Sequence, residues 1–446
     1  MHEKFSKIGY VLAMAGSAIG LGNAWKFPTM TGNHGGFAFI FLYLVLTILI
    51  AAVAFLAEAS IGKLGGKNTS SSLIHLAPNN NPAYGVGGFF MLGSLLISSF
   101  YMLVIGWILY YAILSFAGLP SDNESAGAVF GELVSNSIYS NLACYLTVFF
   151  ITFYTVAKGI KKGIEKMNLI LMPALFILLM GMLVYCAVYT PNFKSAIDFI
   201  FIPDFRKILE PELILQAMGL ALFSLSIGVC TVSTYGASLG DETNLFKSLF
   251  FIIMLNVLVG VLMGLVVFSF VPVTPGVSAS EGPGLIFVSL ASLFGSLGVA
   301  GKVLGFAFFI SLLFAGVTSA VSMIEPSASY LMEKKHFSRT GAVCFIGIFV
   351  LLLGFCCAMS FHKPSAELFS FFGKSFFDIL DYATSNIIMP LGALFFSIFV
   401  GWIVDKQKIY DLFLGYAPKF VVDIWYFILR FILPVVIVGI GIYKLN

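Results

Sequence analysis

The chain has 446 residues, 59% of them hydrophobic and 10% charged, with a mean hydropathy of +1.01. A water-soluble globule cannot hide that much apolar surface, so a polytopic membrane protein is expected. A net charge of +3 without a basic run gives no footprint for nucleic acid, and no HExxH, P-loop or nucleophile-elbow pattern supports catalysis.

Apolar windows of about twenty residues place membrane spans near 6–30, 36–61, 87–117, 138–158, 165–190, 211–238, 245–271, 301–333, 340–360, 375–404 and 421–443. The expected fold is therefore all-α with eleven transmembrane helices, called spans one to eleven below. Residues 281–298 are too short to cross and are flanked by Gly and Pro, which reads as a re-entrant or surface-lying segment. Loops are short, so residues 1–446 form one transmembrane domain. Only about ten residues of mixed charge precede the first apolar run, with no small-residue cleavage site after it, which favours a first transmembrane helix over a removed signal peptide. Placing the N-terminus in the cytoplasm puts roughly twice as many Lys and Arg inside as outside, as the positive-inside rule requires. The expected location is the cell inner membrane. Cys144, Cys186, Cys230, Cys344, Cys356 and Cys357 mostly sit in apolar runs without metal spacing and read as packed free thiols.

Two spans are interrupted. Span one, VLAMAGSAIGLGNAWKFPT, carries Gly16, Gly20 and Gly22 at its centre, followed by Asn23, Lys26 and Pro28. A broken helix leaves N–H and C=O groups unpaired at membrane depth, which is tolerated only where they face protein, water or an ion. Its half-helix ends carry partial charges suited to an anion and to cations. In span six, Gly228 lies among Ser224, Ser226, Thr231, Ser233 and Thr234. Interrupted segments five spans apart predict two inverted repeats, about 6–190 and 211–404, with span eleven (421–443) as an addition and the site between the breaks.

GSAIGLGNAWKFP in span one, FSLSIGVCTVSTYGAS in span six, FAGVTSAVSMIEP in span eight and KGIEK with Pro173 in span five resemble motifs of the neurotransmitter:sodium symporter family, especially its bacterial amino-acid transporters of leucine-transporter fold. The resemblance covers nearly the whole chain. It implies one sodium site from the carbonyls of Gly16, Ile19 and Ala315 with the hydroxyls of Thr318 and Ser319. A second would use the carbonyls of Ala18 and Ser224, the Ser224 hydroxyl, the side chains of Asn23 and Asn256, and the substrate carboxylate, which couples substrate to ion. Asn256, in the apolar LNVLVG, also reads as helix–helix glue.

For substrate the resemblance implies an α-amino acid. Tyr101 and the N–H groups around Leu21 and Gly22 would hold its carboxylate, and the carbonyls of Ala18, Phe223 and Ser226 its ammonium. Gly20 leaves room where monoamine-carrying relatives place an Asp. The implied walls are Ile97, Val104, Phe223, Val229, Cys230, Ser319 and Met323, which favour an apolar side chain.

Tyr101 and Phe223 would form a lid. Lys26 would pair with Asp381 at the outer gate, where the family usually has Arg, or simply snorkel to the interface. Glu333 matches an inner-gate acid, with Lys4 or Lys7 as its counterpart. The residues that hold chloride in some relatives align with Leu220 and Gly260, so no chloride requirement is expected. Glu58 is an intramembrane acid, either functional or a buried, hydrogen-bonded structural group near the span-one break. The implied function is sodium-coupled symport of an amino acid by alternating access, with the lipid bilayer as setting and a monomer or weak homodimer as assembly. A proton-coupled carrier and a non-transporting amino-acid sensor are the alternatives.

Overall fold

The computed structural model describes residues 3–205, 208, 210–240, 243–271 and 283–445; His2 and residues 281–282 of the expected re-entrant segment lie outside them. Among the described residues, nine helices are long and apolar enough to cross a membrane, and ten if the bent pair Lys7–Ala18 and Gly22–Asn33 counts as one span. Span six falls short of that length because it is two helices, Pro211–Ser224 and Thr231–Ala237. The long helices Pro82–Ala117 and Gly298–Lys335 are the most deeply buried and form the inner wall of the bundle. Leu285–Ser296 is a short apolar helix laid across the bundle, with the Phe287 ring against Tyr111 (5.0 Å) and Phe130 (4.9 Å).

Both expected interruptions are present, and their chemistry differs. In span one the helix stops at Ala18 because Ile19 turns extended (φ −83°, ψ 96°), and the chain re-enters a wide π turn over Gly22–Lys26 after bending by 65°. Pro28 follows directly on that π turn, inside the outer helix Gly22–Asn33 and in the first turn of its regular part Phe27–Asn33. In span six, Ser226, Gly228 and Cys230 all take positive φ (54°, 88° and 66°), so three reversals within five residues unwind the helix. Gly228 is required there for space as well as conformation: its Cβ would lie 2.2 Å from the Met389 carbonyl oxygen, and a Cβ on Gly392 of span ten would lie 1.9 Å from the Gly228 oxygen. Backbone rests directly on backbone.

The unwound amides of span six find their acceptor in span two. Glu58, fully buried, accepts the Gly228 N–H at 2.8 Å and the Ser233 N–H at 3.4 Å. A carboxylate in this position supplies the strong acceptor that a broken ladder lacks. It holds the break of span six, not that of span one.

Candidate functional site

The two breaks meet at the centre of the bundle and enclose a narrow cavity. Its lining comes from span one (Ser17, Ala18, Gly20, Gly22, Asn23), span three (Ile97, Tyr101), span six (Phe223, Ser224, Ser226, Val229, Thr231), span eight (Ser319, Met323) and span ten (Met389). The breaks are stitched together by hydroxyls: Ser226 Oγ donates to the Ser17 carbonyl at 3.0 Å and lies 3.1 Å from Ser17 Oγ, while Ser17 Oγ also lies 2.7 Å from Ser322 Oγ of span eight. At the start of the outer half of span one, the Leu21 N–H donates to Tyr101 Oη at 2.9 Å. Gly20 sits between two polar groups, since a Cβ there would lie 2.4 Å from Tyr101 Oη and 2.8 Å from Ser319 Oγ. A wall that is apolar except for hydroxyls, the Asn23 amide and half-helix termini suits a small ligand that is polar at one end and apolar at the other.

Oxygen atoms gather in two knots beside this cavity. In the first, Ser319 Oγ donates to the Ser17 carbonyl (2.8 Å) and reaches the Gly16 carbonyl (3.2 Å), while Thr318 Oγ1 donates to the carbonyls of Ala315 (3.0 Å) and Phe314 (2.9 Å). Ile19 caps the inner half of span one, with extended φ/ψ although its N–H still donates to the Ala15 carbonyl at 2.7 Å. In the second, Asn23 Nδ2 donates to Asn256 Oδ1 (3.0 Å) and to the Asn256 carbonyl (2.9 Å), and Asn256 Nδ2 donates to Tyr43 Oη (2.9 Å) and Ser224 Oγ (3.3 Å). Asn23 Oδ1 is buried without a hydrogen-bond partner among the described residues. Hard cations take oxygen ligands of these kinds. Tyr43 was not legible as a member of this knot, since the residues around it, FLYLVL, are otherwise apolar.

Several expected residues stand elsewhere. Cys230 does not line the cavity: its positive φ turns the thiol toward the carbonyls of Gly87 and Gly88, 3.7 and 3.6 Å away. Val104 is buried but does not line the cavity, and Leu21 contributes its backbone N–H. Lys26 makes no ion pair with Asp381 among the described residues; its ammonium lies 4.4 Å from the centre of the Phe223 ring, and Asp381 accepts from Ser385 Oγ at 3.1 Å. Glu333 accepts the backbone N–H of Asn68, at the start of the helix Thr69–Leu76. The ion pair at this end of span eight that sequence reading missed is Glu325 with Arg339, two parallel bonds of 3.1 and 2.5 Å with Glu325 1% exposed. Of the missed lining residues, Ser17 and Thr231 lie inside the quoted motifs, whereas Met389 carries no local signal.

Two interrupted helices facing each other inside a bundle of apolar spans, with a cavity and oxygen knots at the junction, define a multi-pass membrane carrier and not an enzyme. A model of the sodium:neurotransmitter symporter family matches residues 2–128 and 130–446, and the chain belongs to that family. It is 34% identical to YhdH, a sodium-dependent transporter of Bacillus subtilis, over 97% of this chain and 95% of that one. A sodium-dependent transporter of Haemophilus influenzae is 31% identical, over 99% and 97%. The crystal structure of MhsT in complex with L-phenylalanine superposes with a TM-score of 0.87 at 32% identity, over 99% of both chains. This chain is thus a sodium-dependent transporter with the leucine-transporter fold.

Proposed function

We propose that the protein imports an α-amino acid with an apolar side chain, coupled to two sodium ions, by alternating access. The observation that carries this reading is Gly20, whose missing side chain lets Tyr101 Oη and Ser319 Oγ close on the break of span one, where a Cβ would lie 2.4 and 2.8 Å from them. The substrate carboxylate sits in the cavity beside it, against Tyr101 and the N–H groups of the outer half of span one, and the ammonium faces the carbonyls of Ala18, Phe223 and Ser226. Ile97, Val229, Met323 and Met389 receive the side chain. The bound L-phenylalanine of MhsT supports an apolar ligand.

The Gly16, Ile19, Ala315, Thr318 and Ser319 knot takes one sodium. The Ala18, Asn23, Ser224 and Asn256 knot takes the other, completed by the substrate carboxylate, with the unpartnered Asn23 Oδ1 supporting a cation there. Sodium favours a substrate-competent state open to the outside, and filling both sites permits rocking of spans one, two, six and seven against the rest. The repeats 6–190 and 211–404 supply the two halves, with the N-terminus in the cytoplasm of a cell whose inner membrane holds the protein. Transport needs no chloride, because Leu220 and Gly260 stand where some relatives hold the anion and neither offers it a side-chain donor. Lys26 leaves the Phe223 ring for Asp381 when the outer gate closes.

The test is a competition-binding screen of all twenty amino acids on purified protein, in sodium and with sodium exchanged for potassium or choline. Apolar amino acids should compete, in sodium alone. Binding indifferent to the cation, or confined to charged amino acids, refutes the proposal.

A further inference from the structure

Span five buries a polar side chain that neither oxygen knot uses. Asn168 has no exposed surface, and its Nδ2 donates to the Ile164 carbonyl at 2.9 Å. A carbonyl can only accept, so this bond fixes which end of the amide is nitrogen and turns Oδ1 the other way. Oδ1 has no hydrogen-bond partner among the described residues. It points at the junction of spans one and eight: a Cβ on Gly16 would lie 2.1 Å from Asn168 Oδ1 and 3.0 Å from Thr318 Cβ. A buried acceptor without a donor is costly, and a cation nearby removes that cost as well as a donor would.

A neighbouring contact shows what a purely structural version of this arrangement looks like. A Cβ on Gly9 would lie 2.3 Å from the Glu165 carboxyl, so there too a span-one glycine admits a polar side chain of span five. Glu165 is satisfied there, since its oxygens accept from the Ser6 N–H (3.3 Å) and Ser6 Oγ (2.5 Å). Asn168 Oδ1 has no such donor, although it sits beside Gly16 and Thr318.

We propose that Asn168 Oδ1 is a further oxygen ligand for the sodium ion of the Gly16–Thr318–Ser319 knot, supplied from span five. The inference rests on the reading of that knot as a sodium site. A neutral amide oxygen is a hard donor that strengthens the site without adding charge. Span five thereby becomes a third wall of the ion site, and its displacement would weaken the hold on the ion.

The test is a sodium titration of purified protein without amino acid, at constant ionic strength with choline, reading the sodium concentration that gives half of the sodium-dependent rise in melting temperature. Asn168→Leu should raise that concentration about tenfold, and Asn168→Asp, which places a carboxylate oxygen in the same spot, should lower it severalfold. Asn168→Ser replaces Asn168→Leu if the latter does not express. Unchanged half-saturation in the Asn168 variants with a large shift in Thr318→Ala overturns the role of Asn168. Equal weakening in Asn168→Leu and Asn168→Asp also overturns it, because a packing role ignores charge. No shift in Thr318→Ala refutes the sodium assignment beneath it.

Discussion

Gly20→Ala puts one methyl group where the cavity has no room. The new Cβ would stand 2.4 Å from Tyr101 Oη and 2.8 Å from Ser319 Oγ, against an ordinary contact that begins at 3.4 Å. Both hydroxyls must move. Tyr101 Oη then gives up the Leu21 N–H, now 2.9 Å away. A buried N–H left without an acceptor costs about 1–3 kcal/mol, equivalent to roughly 5- to 150-fold in binding. Ser319 also belongs to a sodium knot, so the sodium concentration for half-maximal binding should rise together with the substrate dissociation constant. The assay is equilibrium binding of a radiolabelled amino acid found by the competition screen, over a sodium series. Gly219→Ala is the matched control, because no atom lies within 4 Å of its Cβ position. Wild-type affinity and sodium dependence in Gly20→Ala would show that the ligand does not depend on these hydroxyls.

Gly20→Asp, larger and charged, should abolish amino-acid binding altogether, measured in the same assay. Thr318→Ala and Ser319→Ala should each shift sodium dependence to higher concentration while the protein stays folded; a sodium curve superimposable on the wild type counts against the first sodium site. Glu58→Gln turns one amide N–H₂ toward the N–H groups of Gly228 and Ser233, and loss of a charged hydrogen bond of this kind costs about 1.5–3 kcal/mol, which should appear as a lower melting temperature in sodium. Gly392→Ala would press a methyl into the Gly228 carbonyl, and overpacking of this kind costs about 1–3 kcal/mol. Thermal unfolding should register that loss, and a wild-type melting temperature would show that spans six and ten are not in backbone contact.

Much of the architecture is local and therefore legible in the chain. Twenty-residue apolar windows, three glycines and a proline in span one, and a glycine among hydroxyls in span six each act through their own backbone, whatever surrounds them. Hence the bundle, the two interruptions and most of the cavity motifs could be placed beforehand. The break expected in span six is made by its positive-φ residues, which divide it into helices of 14 and 7 residues.

Which way a side chain faces was decided by tertiary structure. In a soluble helix an apolar stripe marks the buried side, but here lipid and protein core are both apolar, so periodicity says little about which face turns inward. Met389 and Tyr43 reach the site without any signal in their own spans. Cys230 leaves it because the unwound backbone at φ 66° redirects its thiol, and Glu58 acquires its role only when span two brings it to the freed amides of span six. The sequence alone determined that the chain crosses the membrane and where its helices break. What those breaks face was settled by packing, since unpaired peptide groups and buried oxygens take their partners from whatever helix the fold lays beside them.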